Sequence, residues 1–201
     1  MSLTLLDWRR RIAALYAAVR EDTTADPAGV LACFRAARDR LFAEHPDSPI
    51  PAEERAAFTG LPYWPYDPAL RFEVEVEPAA AQRLNAISST GEPYPLDRIG
   101  RVSLPAGTLD VFWVAVYGGG VFLPFRDATS GKESYGAGRY LLDTVKGADL
   151  GGDDGRLVVD FNYAYNPSCA YDPQWSCPLA PPGNRLTVPI RAGERFDAAN
   201  H

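Results

Sequence analysis

The sequence predicts an α+β protein, in which two N-terminal helices pack on a mainly antiparallel sheet of about six to eight strands that is curled or closed into a barrel. Apolar residues recur at spacings of three and four over the first 45 residues, which is the period of a helix face. From Arg71 onward apolar and polar residues alternate, as on half-buried strands. No helical pattern separates the strand candidates, and strands without crossover helices pair antiparallel.

Capping signals bound the second helix. Asp26-Pro27 predicts its start, because aspartate caps a helix and proline fits the first helical position. His45-Pro46 predicts its end, since the residue before a proline avoids helical geometry. The apolar face of the first helix comprises Leu5, Trp8, Ile12, Leu15, Tyr16 and Val19, and that of the second comprises Leu31, Phe34, Ala37, Leu41 and Phe42.

Seven segments after residue 70 have strand patterns. The first begins at Arg71, where Phe72, Val74 and Val76 alternate with glutamates. Gly118-Gly119-Gly120 predicts a hairpin between the third and fourth segments. The other six candidates span residues 98–104, 109–117, 121–126, 139–145, 156–161 and 186–190.

The length of 201 residues indicates a single domain over residues 1–201. Within it we distinguish a helical N-terminal part, residues 1–60, and a β-rich body, residues 61–201. The body contains a long loop over residues 162–184, which we name the cap.

The cap has an unusual composition for a loop. It contains five prolines, four aromatic residues and two of the three cysteines. Disordered segments carry few aromatic residues and many charges, so this composition predicts an ordered and largely buried loop. We expect Asp160 and Asn162 to hold one end of the cap and Asn184 to hold the other, because buried amides and carboxylates form hydrogen bonds.

Charge and composition exclude several classes of partner. The chain carries 20 basic and 26 acidic residues, and neither the helical part nor the body is basic, so we expect no nucleic acid partner. No apolar run approaches the length of a membrane span, and the N-terminus lacks a signal-peptide pattern. These features predict a cytoplasmic protein without a membrane partner. The sequence does not indicate an oligomeric state.

Several sequence blocks carry a resemblance to a known family. They are FRAARDRLFAEHPDSP at 34–49, GLPYWPYDP at 60–68, FLPFRDATSGKESYGAGRY at 122–140, DFNYAYNPSCAY at 160–171, CPLAPPGN at 177–184 and IRAGE at 190–194. Together they resemble the bacterial and archaeal domain of unknown function family 1684 over roughly residues 30–195. The resemblance implies a shared fold and implies no activity.

We predict neither a metal nor a cofactor. The chain has two histidines, one at a helix end and one as the last residue, and it has no phosphate-binding glycine loop. Cys169 and Cys177 are too far apart for a typical zinc pair. We interpret them as free buried thiols, with a disulfide as the alternative.

Six polar residues are candidates for a ligand site: Asp127, Tyr135, Arg139, Tyr140, Tyr165 and Asn166. The stretch 127–140 brings two phenols near a guanidinium, which suits a carboxylate or phosphate. The alternative is structural, because Asp127 in a turn also bonds its own backbone.

These residues predict that the protein binds a small polar or anionic molecule under the cap. We expect at least three of the six to line the pocket, with the Arg139 guanidinium directed at the ligand. One alternative is a hydrolase or isomerase that uses Asp127, Asp160 or Glu194 as a general acid or base in the same pocket. Another is an interaction module with no pocket.

Overall fold

The two predicted helices are present in the structure, a computed structural model that describes residues 3–196. Helix α1 spans Leu3–Glu21 and α2 spans Pro27–Glu44. The Asp26 carboxylate accepts a hydrogen bond of 2.9 Å from the Gly29 amide, and Pro27 occupies the first turn. Within residues 3–196, no helix has the length and apolarity needed to cross a membrane.

The strands form two antiparallel sheets, so the α+β class with antiparallel pairing is confirmed. One sheet has five strands in the order β2-β3-β4-β5-β6, and the other pairs β1 with β7. Neither sheet closes on itself, so the description as a curled sheet or barrel fits only loosely. The strands are β1 Arg71–Glu75, β2 Gln82–Ile87, β3 Pro93–Leu104, β4 Gly107–Val114, β5 Val121–Phe125, β6 Arg139–Asp143 and β7 Arg156–Asp160.

One strand was missed by the sequence pattern, and one predicted strand is absent. The segment 82–87 is strand β2, which the pattern missed because an exposed edge strand carries few apolar residues. Residues 186–190 form no strand. Pro189 cannot donate to a strand ladder, and the Ile190 amide donates 2.6 Å to the Asp127 carboxylate. Backbone hydrogen bonds to Arg126 and Ala128 hold the first part of the segment, and the Asp127 side chain accepts from its last amide.

The main apolar core lies between the two sheets. Phe161 is at its centre and makes edge-on contacts with Phe125 of β5 at 5.1 Å and Phe72 of β1 at 6.3 Å. The same cluster continues through Leu186, Ile190 and Ala192. The C-terminal segment thus packs as part of the core even though it is not a strand.

The helices pack on the cap and the segment that enters it. Phe34 of α2 stacks edge-on against both Tyr16 of α1 and Tyr163 at 5.0 Å. Phe42 of α2 contacts Tyr171 at 5.6 Å. The cap is therefore enclosed between the helices and the body, which positions the site described below.

The cap contains two short 3-10 turns, Phe161–Tyr163 and Ser168–Ala170, and is otherwise irregular. At its start, the Asn162 side chain exchanges two hydrogen bonds with the backbone of Asp67, at 2.8 and 2.9 Å. At its end, the fully buried Asn184 side chain accepts 3.0 Å from the Asp110 amide. It also donates 2.8 Å to the carbonyls of Asp110 and Pro124.

Replacing Asn184 by alanine should destabilise the protein by about 2–4 kcal/mol, because it leaves buried backbone groups of β4 and β5 without partners. Urea denaturation measures the change. Asn85→Ala on the exposed edge strand β2 is the matched control and should be nearly neutral. If the two variants are equally stable, Asn184 does not hold the end of the cap.

Candidate functional site

Arg139 is a structural clamp on the C-terminal segment. Its side chain is 1% exposed, and one terminal nitrogen donates to the carbonyls of Ala192 at 2.5 Å and Glu194 at 3.1 Å. The other donates to the Ile190 carbonyl at 2.8 Å and the Asp127 carboxylate at 3.4 Å. Burial lowers the pKa of Arg139 to about 10, against the opposing effect of Asp127. The guanidinium is therefore cationic at neutral pH, and these four donations go to protein groups.

The Asp127 carboxylate is likewise occupied by hydrogen bonds from protein groups. Its carboxylate accepts from the Thr129 hydroxyl at 2.7 Å, the Ser130 hydroxyl at 3.2 Å and the Ile190 amide at 2.6 Å. The turn that follows β5 is thus tied to the C-terminal segment.

Glu194 is the second buried anchor of that segment. Its carboxylate accepts from the Arg38 guanidinium of α2. It also accepts from the Asn166 amide at 2.8 Å and the Tyr171 hydroxyl at 2.5 Å, both in the cap. Gly193 precedes it with a φ of +76°, and a Cβ there would lie 2.4 Å from the Ala164 carbonyl oxygen. The IRAGE block therefore joins body, cap and helix α2 at one point.

A cavity of about 210 Å³, which we name the helix–cap cavity, lies between the helices and the cap. The exposed side chains of Arg9 and Ser176 lie among its walls, which places its opening beside them. The walls are Leu5, Trp8, Arg9, Ile12 and Tyr16 of α1; Arg38 and Phe42 of α2; Asp47, Pro49, Lys146 and Ala148; and Tyr165, Asn166, Pro167, Ser168, Trp175, Ser176 and Cys177 of the cap.

Buried polar atoms without a hydrogen-bond partner are concentrated in residues that line this cavity. Within residues 3–196, four buried side-chain nitrogen or oxygen atoms lack a hydrogen-bond partner. Three of them, Asp47 Oδ2, Asn166 Oδ1 and Trp175 Nε1, belong to residues that line the cavity. The Asn166 orientation is fixed, because its Nδ2 donates 2.9 Å to the Arg195 carbonyl, which can only accept.

The charged walls are mostly cationic. Arg38 forms an ion pair with Glu194, and Lys146 forms a longer one with the Asp143 carboxylate, at 3.7 Å. Burial lowers the pKa of Lys146. The negative charge of Asp143, together with smaller effects of other neighbours, raises it by more, so the pKa lies above its usual value. Arg9 acts in the lowering direction, which indicates that the two cations lie near each other. A second cation beside Lys146 makes this end of the cavity suited to an anionic group.

Two of the six residues predicted for the ligand site, Tyr165 and Asn166, line the helix–cap cavity. Tyr140 packs edge-on against Tyr165 at 5.6 Å, and its hydroxyl donates to the Pro178 carbonyl. Asp127 and Arg139 lie in the clamp described above, and Tyr135 contacts Cys169. Their ligand role stays a prediction, although the geometry favours structural roles.

The three carboxylates considered for catalysis lie outside the cavity walls. Asp127 and Glu194 accept the hydrogen bonds from protein donors that are given above. Burial raises the pKa of Asp160, and its Oδ1 accepts two hydrogen bonds from Asn162. Asp160 borders a separate groove beside Arg71 and Gly151.

Most of the cavity walls carry no signal in the sequence. Trp8 lies on the predicted apolar face of the first helix, and Arg38, Asp47 and Lys146 are not among the six residues predicted for the ligand site. Arg38 carried one usable signal, since an arginine among the apolar residues of a buried helix face requires an acidic partner.

The two cap cysteines are in contact and are not bonded to each other. Cys169 and Cys177 are buried, at 8% and 1% exposed, as expected. The Cys169 amide donates 3.4 Å to Cys177 Sγ, and the Tyr135 hydroxyl lies 3.7 Å from Cys169 Sγ. Hydrogen bonding from the Cys177 thiol lowers the pKa of Cys169 to about 6, while the same contact raises the pKa of Cys177.

No metal cluster accompanies these sulfurs. Across residues 3–196, no group of three or more histidine, cysteine, aspartate or glutamate side chains is placed to hold a metal ion.

Comparison with known proteins gives a family and a fold. Residues 56–195 match the sequence profile of a family described as "Protein of unknown function (DUF1684)". The chain is also similar to the solution NMR structure of an uncharacterised protein from Haloarcula marismortui, with 35% identity and a TM-score of 0.55. That match covers 84% of this chain and 93% of the archaeal chain. No curated protein matches the chain. Helices α1 and α2, which line the cavity, precede the range matched by the family profile.

Replacing Arg139 by alanine should destabilise the protein by about 3–5 kcal/mol, because it leaves Asp127 as a buried carboxylate without its cationic partner. Denaturation followed by far-UV circular dichroism measures this loss. Arg185→Ala is the control, since Arg185 is exposed. If Arg139→Ala instead keeps its stability and loses ligand binding, the ligand role predicted from the sequence is correct and the clamp role is wrong.

Proposed function

Because the chain belongs to the DUF1684 family, whose description names no activity, we propose a function from the cavity itself: the protein binds a small organic acid in the helix–cap cavity. The acid carries a carboxylate, a hydroxyl or amino donor and an apolar group. Amino acids and hydroxy acids with an aromatic or branched side group belong to this class.

The clustering of unpartnered polar atoms carries the proposal. A buried polar atom without a partner costs about 1–3 kcal/mol, so folded proteins rarely retain one. Asp47 Oδ2 and Asn166 Oδ1 accept hydrogen bonds, and Trp175 Nε1 donates one. A ligand that offers two donors and one acceptor would offset the cost of all three atoms.

The size and apolar walls restrict the ligand further. A volume of about 210 Å³ corresponds to roughly seven water-sized groups at about 30 Å³ each, which suits a metabolite better than a drug-sized molecule. Trp8, Ile12 and Phe42 provide an apolar surface on the helix side. An apolar side group would pack there, while the charged group of the ligand lies toward Lys146.

The charge near the opening favours an acid over a base. Arg9 and Lys146 contribute two cations, of which Lys146 is paired with Asp143, and Asp47 is the one carboxylate among the described residues of the cavity walls. A carboxylate between the cations would form charge-assisted hydrogen bonds, which are stronger than neutral ones. The amino or hydroxyl group would then face Asp47 and Asn166.

The hydrogen bonds and positions of the three buried carboxylates favour binding over catalysis. A general base needs a free lone pair within hydrogen-bond reach of its substrate. Asp127 and Glu194 accept from several protein donors, and neither they nor Asp160 line this cavity. The hydrolase or isomerase alternative therefore has less support than binding.

Trp175→Phe tests the polar contact directly. It removes an N–H that has no protein partner and keeps an aromatic wall, so the unliganded melting temperature should stay unchanged or rise slightly. Affinity for the best acid in a panel of amino and hydroxy acids should fall about tenfold, equivalent to about 1.4 kcal/mol. Thermal-shift screening followed by calorimetry measures both quantities.

Trp113→Phe is the control for that experiment, because Trp113 is partly exposed on β4 and lies outside the cavity. It should leave affinity unchanged. If no acid in the panel shifts the melting temperature and native mass spectrometry detects no copurified small molecule, the cavity holds water and the proposal fails.

Lys146→Gln tests the charge. Loss of this cation should weaken the acid about tenfold while an uncharged amide of the same compound is bound equally by both proteins. Lys132→Gln is the matched control, since Lys132 is the only other lysine and is exposed outside the cavity. Equal losses in both variants would indicate a general charge effect and contradict a specific contact.

A further inference from the structure

We propose that Cys169 and Cys177 form a reversible dithiol–disulfide pair, which makes the cap a site of oxidative modification. The proposal concerns the chemistry of the cap itself, so it does not depend on whether the cavity binds an acid. Hydrogen peroxide is the oxidant, and a small dithiol is the reductant.

The geometry allows a disulfide with little movement. Cys177 Sγ accepts a hydrogen bond of 3.4 Å from the backbone nitrogen of Cys169, which places this sulfur beside the second cysteine. The residues are separated by one turn and a short loop, so the backbone has already brought their side chains together. Disulfides require Cβ atoms about 3.5–4.5 Å apart, a distance that the backbone sets, and rotation about the Cα–Cβ bonds then brings the two sulfurs together.

The contacts give the two sulfurs different roles. Cys169 has the features of an attacking thiolate: its sulfur accepts from the Cys177 thiol and the Tyr135 hydroxyl, and its pKa is lowered to about 6. Cys177 stays protonated at neutral pH because the same contact raises its pKa. A low-pKa thiol beside a second thiol that resolves it is typical of redox-sensitive sites.

The reaction balances in two steps. The Cys169 thiolate attacks one peroxide oxygen, the O–O bond breaks, and the released hydroxide takes up a proton to form water, leaving a sulfenic acid. The Cys177 sulfur then loses its proton and attacks the Cys169 sulfur. The S–O bond breaks and a second water leaves. Two thiols are oxidised to one disulfide, and one peroxide is reduced to two waters.

The location links this chemistry to the helix–cap cavity. Cys177 is a wall residue, and so is Trp175 in the loop that a disulfide would close. Bond formation draws the Cys177 sulfur toward Cys169, and the Tyr135 hydroxyl then faces a disulfide sulfur, which accepts hydrogen bonds more weakly than a thiolate. The oxidised cap therefore has a different cavity wall from the reduced cap.

Cys33→Ser is the background for the test, because Cys33 is the remaining cysteine and is exposed on α2. Treatment of this full-length variant with hydrogen peroxide should remove both remaining thiols, counted after denaturation. Its intact mass should fall by two hydrogens, and dithiothreitol should restore both thiols. Retention of both thiols, or a mass gain of oxygen without loss of two hydrogens, would overturn the proposal.

Two further variants assign the roles. In Cys33→Ser with Cys177→Ser, peroxide should produce a sulfenic acid at Cys169 that dimedone traps. In Cys33→Ser with Cys169→Ser, Cys177 should stay reduced under the same conditions. Iodoacetamide labelling of the Cys33→Ser protein provides the same assignment if either double variant fails to fold: Cys169 should be labelled with a midpoint near its pKa of about 6, and Cys177 only at much higher pH. Faster labelling of Cys177 would reverse the roles and refute the mechanism.

Discussion

The buried contact between Arg139 and the carbonyls of residues 190, 192 and 194 is the interaction on which the rest of the structure depends. A guanidinium removed from water must be matched by acceptors, and this one is matched by the C-terminal segment and by Asp127. The segment packs in the core between the sheets without belonging to either of them. Side-chain donors and two backbone hydrogen bonds to residues 126 and 128 thus hold the segment in place of a full strand ladder.

The same segment creates the candidate site. Once Arg139 fixes its backbone, the Glu194 carboxylate faces Arg38 of α2 on one side and Asn166 and Tyr171 of the cap on the other. The Glu194 carboxylate accepts from the Asn166 backbone amide, and the Arg195 carbonyl accepts from the Asn166 side-chain nitrogen. Asn166 Oδ1 then has no hydrogen-bond partner among residues 3–196. A structural anchor in the core therefore fixes the orientation of a side chain that lines the cavity.

The cap combines two properties that place a possible function there. It is held at both ends by asparagine side chains that bond to backbone groups of other segments, which limits its movement. It also carries atoms that are not fully satisfied by the protein: Asn166 Oδ1, Trp175 Nε1 and the thiol pair. Rigid support around incompletely matched polar groups is the usual construction of a binding site.

The sequence by itself determined the local structure and the family. Helical spacing and the Asp26-Pro27 cap located α2, alternation located most strands, and the cap's composition indicated an ordered loop, because these features depend on neighbouring residues. It missed the strand at 82–87 and predicted a strand at 186–190 that is absent, because burial and the partner of each backbone group decide the conformation there. Arg139 contacts Glu194 across 55 residues of sequence, and Arg38 contacts Glu194 across 156 residues. Only the tertiary structure decided that Arg139 faces carbonyls and that the helices complete the cavity, because a buried charge takes whichever partner the fold brings to it, and sequence spacing does not encode that choice.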